Sequence, residues 1–220
     1  MANLVIKPAS GSGNKVVFQN QAGNVDAITV EDSGTIALGT VTSGNISNTA
    51  IVYPDGHLLQ AESAVYTSFM TVASGTWTDI DSNFYVDITP ASASNKVYVS
   101  GFWNGCPGGG NQTPLLRLVR IINSTQATIA KGDNYGSVTD ASNGGCCIFG
   151  NFDNNNSTMA NAAFSWLDSP GTDLVIRYKL QVRSEGASYT TYTNRRHTHQ
   201  DSNNNSWMTP CSLTCMEVQG

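Results

Sequence analysis

The chain has 220 residues and a formal net charge of −5, and only 12% of its residues are charged, about half the share usual in globular proteins. Clustered Lys and Arg are absent, which argues against nucleic acid as a partner, and no run of about 18 apolar residues offers a membrane span. Solubility must rest on hydroxyls and amides, while 40% hydrophobic content with 9% aromatics is enough to build a core and argues against disorder.

The opening, MANLVIKPASGSGNKVV, has no charged start followed by a long apolar core, so it is not read as a secretory signal. Synthesis in a cytoplasm is expected. Short strand-like pieces (KVVFQN, DAITV, TIALGTV) then alternate with Ser-Gly and Gly-Asn turns, without Trp or Cys up to about residue 60. Pieces so short, with so few bulky side chains, bury little in one copy. Residues 1–63 are therefore expected to be a β-rich attachment segment that intertwines with copies of itself.

Residues 64–220 read as a larger β domain. Candidate strands follow in order as VYTSFMTV, WTDI, FYVDITP, KVYVSGFWN, PLLRLVRII, ATIAKGD, CCIFGNF, AFSWLD, DLVIRYKLQVRS, YTTYTN and PCSLTCMEV. In FYVDITPASASNKVYVSGF, inward Phe84, Val86 and Ile88 precede a polar turn. Val97, Val99 and Trp103 then face one side, and Tyr98, Ser100 and Phe102 the other. Period-2 alternation on both arms predicts a hairpin. In DLVIRYKLQVRS, Leu174, Ile176, Tyr178, Leu180 and Val182 form the core side; Val175, Arg177, Lys179, Gln181 and Arg183 form the wet side. Many short strands between Gly and Asn turns, with no helical periodicity, predict an all-β fold in which the larger domain is a jelly-roll-like β-sandwich.

Five Cys are present. Cys211 and Cys215 share one strand face but would lie roughly 13 Å apart at about 3.3 Å per residue, too far for a disulfide. They and adjacent Cys146 and Cys147 are expected to be small buried hydrophobes in a reducing compartment.

Catalytic signatures are sparse. GxSxG is missing, and NGCPGGGNQTP lacks the following Lys-Ser of a phosphate loop. Asp79, Asp81 and Asp87 sit near a turn. Asp133, Asp140, Asp153 and Asp168 lie at strand ends, where Asp closes turns. No catalytic residue, cofactor or enzymatic activity is expected. Trp77, Trp103, Trp166 and Trp207 could line a carbohydrate groove, although alternating strands make them core residues first. His197 and His199, at i and i+2, would point to one side of an extended segment and could chelate a metal. In a threefold assembly three such pairs would supply an octahedral set. Their flanks NRR and QDSNNNS are hydrophilic, so the favoured reading is an exposed loop without metal, with Arg195 and Arg196 at its solvated tip.

The phrases LVIKPASGSGNKVVFQNQAG, TIALGTV and YPDGHLLQ resemble the opening of many tailed-bacteriophage fibre-like virion proteins. TWTDIDSNFYVDITPASASNKVYVS, AFSWLDSPGTDLVIRYKLQVRS, TYTNR and CSLTCMEV resemble a C-terminal β domain found in the same proteins. The resemblance implies a homotrimeric tail fibre or appendage, made in the host cytoplasm and resident in the virion. It implies as partners the chain itself, other virion proteins and a host surface glycan. Fibre-tip proteins can carry a His-x-His iron site, and His197 and His199 match that pattern alone. A capsid decoration protein stabilising the shell is the alternative role, and a carbohydrate-active depolymerase the rival from another class. Contact with a glycan is expected in the Asn-rich loop 151–156 and in the loop from Arg195 to Trp207.

Overall fold

The computed structural model describes residues 54–108, 113–132, 159–197 and 208–220 in full, together with the backbone of 16–19, 26–30, 36–38 and 147–148. Two units separate, Met1–Val52 and Tyr53–Gly220. In the first, β1 (Val16–Gln19), β2 (Asp26–Val30) and β3 (Ile36–Leu38) form a three-stranded antiparallel sheet in chain order. The second unit is all-β among its described residues. Its strands are β4 (Leu58–Tyr66), β5 (Met70–Val72), β6 (Thr78–Asp79), β7 (Tyr85–Ile88), β8 (Lys96–Pro107) and β9 (Leu115–Ile122), followed by β10 (Thr125–Ile129), β11 (Cys147–Ile148), β12 (Ala160–Asp168), β13 (Ile176–Arg183), β14 (Thr191–Thr193) and β15 (Cys211–Val218). The expected division at 63/64 runs through β4, which pairs with β15 along its length.

Several of these strands lie end to end. β4 and β5 run along β15 and β14, which both pair with one side of β8. β6 and β7 follow one another along β13, and β10 and β11 along β9. With each such pair taken as one strand, the described residues of the second unit make eight. The first, eighth, third and sixth form one sheet; the second, seventh, fourth and fifth form the other. The pairs first with eighth, second with seventh, third with sixth and fourth with fifth are those of one long hairpin rolled up on itself. That order is a jelly roll.

The core lies between the sheets, built from the inward positions of each strand. β8 contributes Val97, Val99 and Trp103, β13 contributes Ile176, Tyr178, Leu180 and Val182, and β15 contributes Cys211, Leu213 and Cys215, all at most 1% exposed. The alternation expected of both segments is present from Val97 to Trp103 and from Ile176 to Val182. Leu174, expected in the core, precedes β13 and is 46% exposed, and Gln181, expected on the wet side, is buried where it bonds Arg117 and Asp79. The hairpin expected between residues 84 and 103 does not form: β7 pairs with β13, and β8 with β12, β14 and β15. Residues 89–95 instead cross from one sheet to the other. Alternation reports which face of a strand is buried and is blind to its partner, so two consecutive inward-facing strands satisfy it equally well across a sandwich. A true two-residue hairpin joins β9 to β10, where Asn123 and Ser124 both take positive φ (48° and 65°), the geometry of a type I′ turn.

Buried polar groups tie the crossovers down. Glu217, 1% exposed, accepts from Gln60 Nε2 (2.5 Å), the Ala91 amide (2.6 Å) and Asn95 Nδ2 (2.5 Å), which pins the 89–95 crossover to β15. Asp168, ending β12, turns its carboxylate inward instead of closing a turn. It takes both oxygens to Arg120 Nη1 (2.8 and 2.9 Å) and accepts from the Tyr178 hydroxyl at 2.7 Å. Arg120 and Tyr178 belong to the opposite sheet, so this cluster bridges the two.

The two ends of the sandwich differ. At one, the chain enters at residues 54–57 beside its own C-terminus, with the Gly56 amide donating to the Gln219 carbonyl at 2.8 Å. The connections 89–95, 123–124 and 169–175 lie at this end. The opposite end holds 73–77, 108–114, 184–190 and both limits of the connection from Ile148 to Ala160.

Candidate recognition site

In the half nearer that loop-bearing end, adjacent strands of one sheet are interrupted at the same level. β4 breaks from β5 over residues 67–69, and β14 breaks from β15 over residues 194–210. The second interruption is an excursion closed at its neck by the bridge Arg195↔Met208. Asn194 sets its departure. It takes φ 61°, which Asn tolerates better than most residues. Its amide donates to the Asn104 carbonyl at 2.8 Å, and its side-chain Nδ2 donates to the carbonyls of Tyr66 and Ser68, both at 2.7 Å. The Cys211 thiol donates to Asn194 Oδ1 at 2.9 Å, and burial pushes that thiol up to about 12.

Below the neck, Trp103 Nε1 donates to Thr193 Oγ1 at 2.9 Å. The indole lies over Gly105, where an added Cβ would come within 2.1 Å of the ring, so only glycine fits there. Asn104 Nδ2 donates to the Pro210 carbonyl at 2.5 Å, and Asn161 Nδ2 to Asn104 Oδ1 at 2.8 Å. Buried Asn104 and Asn194 thus serve as a hydrogen-bonded frame for the excursion, their amides satisfying backbone carbonyls that the broken ladder leaves open.

Above the neck the chemistry changes to stacked cations and rings. The Arg195 guanidinium lies 4.6 Å from the Tyr192 ring centroid and 5.1 Å from that of Phe69, and its Nη2 donates to Thr71 Oγ1 at 3.0 Å. His197 stacks on Tyr192 at 5.1 Å with an interplanar angle of 26°. Phe69 and Met208 are 58% and 59% exposed, as are several other large apolar side chains of this unit. Arg195 Nε, Arg196 Nε and His197 Nδ1 are sheltered from solvent and meet no hydrogen-bond partner among the described residues. A planar cation held between rings suits recognition of polar surfaces.

Of the residues singled out in the sequence, His199, Trp207, Asp133, Asp140, Asp153, Cys146, Asn151 and Asn156 lie outside the described residues, as does the side chain of Cys147. The geometry of the His197/His199 pair is therefore not defined; among the described residues no group of three His, Cys, Asp or Glu converges as a metal set. Asp79, Asp81 and Asp87 each have partners of their own. Asp79 bonds Lys179 Nζ (2.8 Å) and Gln181 Nε2 (2.6 Å), Asp87 pairs with Arg177 (2.8 Å), and Asp81 Oδ1 accepts from the Asn83 amide (2.8 Å). Burial raises the thiols of Cys106, Cys211 and Cys215 above the ordinary cysteine value, so at neutral pH they are protonated packing groups. Tyr178 is likewise raised, first by burial and then by Asp168. Trp103 is core, whereas Trp166 is 41% exposed and Trp77 carries Arg117 (4.6 Å) and Arg183 (5.2 Å) over its ring. Sequence inspection missed Phe69, Asn104 and Asn194. The dipeptide TN at the end of YTTYTN was the only available sign of the αL exit.

No family model and no curated protein matches the chain. Among solved structures, chains of infectious bursal disease virus particles align with it. In the Gx strain structure the identity is 10%, over 73% of this chain and 37% of the other, with a TM-score of 0.35. The Gt strain structure gives 12%, 88%, 48% and 0.37, and the T13 viral particle 12%, 88%, 45% and 0.36. This chain spans less than half the length of each.

Proposed function

We propose that this chain is a structural virion protein of a tailed bacteriophage, a homotrimeric tail fibre or appendage that attaches to the host surface through the loop-bearing end of its jelly roll. The observation that carries the proposal is the polarity of the sandwich. The end where the chain enters this unit holds the connections 89–95, 123–124 and 169–175; the other holds both limits of the connection from Ile148 to Ala160, with the 194–210 excursion in the adjoining half. An adhesive domain needs such a division, one end joined to its stalk and the other free to meet a surface. The exposed Phe69 and Met208 and the stacked Arg195 give that surface rings and a cation. The first unit supplies three short strands of few bulky residues, which favours stabilisation by copies of itself. Three weak contacts acting together then give durable adsorption. The sequence resemblance to phage fibre-like proteins points the same way.

Alanine substitution across residues 195–199 in the intact phage tests the role. Adsorption to host cells should fall while virion integrity and the melting temperature of the purified protein stay near those of the parent. Unchanged adsorption with fragile virions would transfer the role to capsid decoration. Release of reducing sugar from host envelope by the purified protein would make it a depolymerase.

A further inference from the structure

The outer faces of the two sheets contrast. That of the β6/β7–β13–β9 sheet is charged and internally paired, Asp79 with Lys179 and Asp87 with Arg177. That of the β4–β15–β8–β12 sheet holds a shallow trough of about 600 Å³ with no charged side chain in its lining. Register puts Ser212 beside Phe102, Thr214 and Ser165 on either side of Ser100, and Met216 and Leu167 on either side of Tyr98. Tyr98 and Phe102, both half-buried, stand four residues apart on β8, about 13 Å along the strand. Between these two rings the floor is Ser100, Ser165, Ser212 and Thr214. Their hydroxyls bond to no other side chain among the described residues, although each can donate and accept.

We infer that this trough is a binding site for a neutral oligosaccharide. Sugar rings present apolar C–H faces, which Tyr98 and Phe102 can cover, and hydroxyl rims, which a floor of serine and threonine can match in both directions. The volume lies in the range of small-ligand sites. No Lys or Arg lines it, so an acidic sugar finds no counter-charge there. The backbone beneath is already paired on both sides of β8 and β15, which leaves no edge for an extended peptide to join. This deepens the attachment role, on which its biological meaning rests, but it is a separate surface from the excursion and fails separately.

Calorimetric titration of the purified full-length chain with neutral maltohexaose and chitotetraose, and with sialyllactose as the acidic control, tests it. Saturable binding of at least one neutral oligosaccharide is expected in the millimolar range or tighter, with none for the acidic control. Tyr98→Ala and, independently, Ser100→Glu should weaken it tenfold or more. Thr214→Glu serves should either of these variants lose its cooperative melt. Absence of heat with both neutral ligands overturns the inference, as does binding unaltered in the folded variants. Concentration-dependent pairing of the parent chain that Ser100→Glu abolishes would also overturn it, because a second copy would then cover the face. Failure here with adsorption still dependent on residues 195–199 leaves the attachment role standing; success with normal adsorption in that variant removes the excursion from the role.

Discussion

Glu217→Ala should destabilise the jelly roll far more than Glu217→Gln. In the parent, Oε1 accepts from the Ala91 amide and Asn95 Nδ2, and Oε2 from Gln60 Nε2. Glutamine keeps Oε1 and its two donors, and Gln60 can turn its amide to present oxygen, forfeiting its bond to the Thr89 carbonyl. The net loss is the Gln60–Thr89 bond together with the charge on the bonds that remain, about 1–2 kcal/mol. Alanine removes every acceptor. Asn95, 1% exposed, keeps a buried donor without a partner, the 89–95 crossover loses its tie, and a cavity opens beneath. Together these cost about 3–5 kcal/mol. Tryptophan fluorescence during urea unfolding of the full-length chain reads this directly, because Trp77, Trp103, Trp166 and Trp207 all belong to the Tyr53–Gly220 unit. Equal losses in the two variants, or an alanine variant within about 1 kcal/mol of the parent, would refute the assignment of Glu217 as the clamp of the crossover.

Ile176, fully buried between Ile88 and Ile122, should not tolerate Asp: an unpaired buried carboxylate adds several kcal/mol to the lost apolar contact, and thermal melting should show an unfolded domain. Lys179→Ala on the same strand breaks only the partly exposed pair with Asp79 and should shift stability by no more than about 1 kcal/mol. The Cys211 thiol is raised from 9.0 to about 12. Its contribution to stability is therefore complete below pH 9, where the unfolded thiol is still protonated, and is lost as pH climbs towards 12; denaturation across that window should be less steep with pH in Cys211→Ala. Mass measurement in solution should give three copies of the full-length chain and a lower state for residues 54–220; a monomeric full-length chain would contradict the trimer.

Strand identity was legible because alternation survives in the sequence wherever one face is buried, as in Ile176, Tyr178, Leu180 and Val182. Partnership was not. Residues 84–88 and 96–103 look like two arms of a hairpin, yet what distinguishes a hairpin from a crossover is the path of residues 89–95, and the signal for that path is a single buried Glu one hundred and more positions away. The boundary between units was obscured for a similar reason: LLQAES in β4 has a mixed pattern, since β4 is an edge strand with both faces partly exposed. At the candidate site, the loop around Arg195 stood out by its charge and polarity. The frame beneath it did not, because Asn104 and Asn194 look like ordinary turn residues until the broken strand shows which backbone groups they satisfy. The trough on β8 is not legible in the sequence, because alternation places Tyr98, Ser100 and Phe102 on one face without showing which residues of β12 and β15 stand beside them.

The central claim, a virion appendage whose loop-bearing end meets the host, is tested most directly by electron cryomicroscopy of phage carrying a small tag within residues 184–190. The protein should form threefold density at a tail extremity, with the tag at the outermost point and the end holding residues 54–57 turned towards the particle. Density seated on the capsid shell, or a tag buried against the particle, would contradict it.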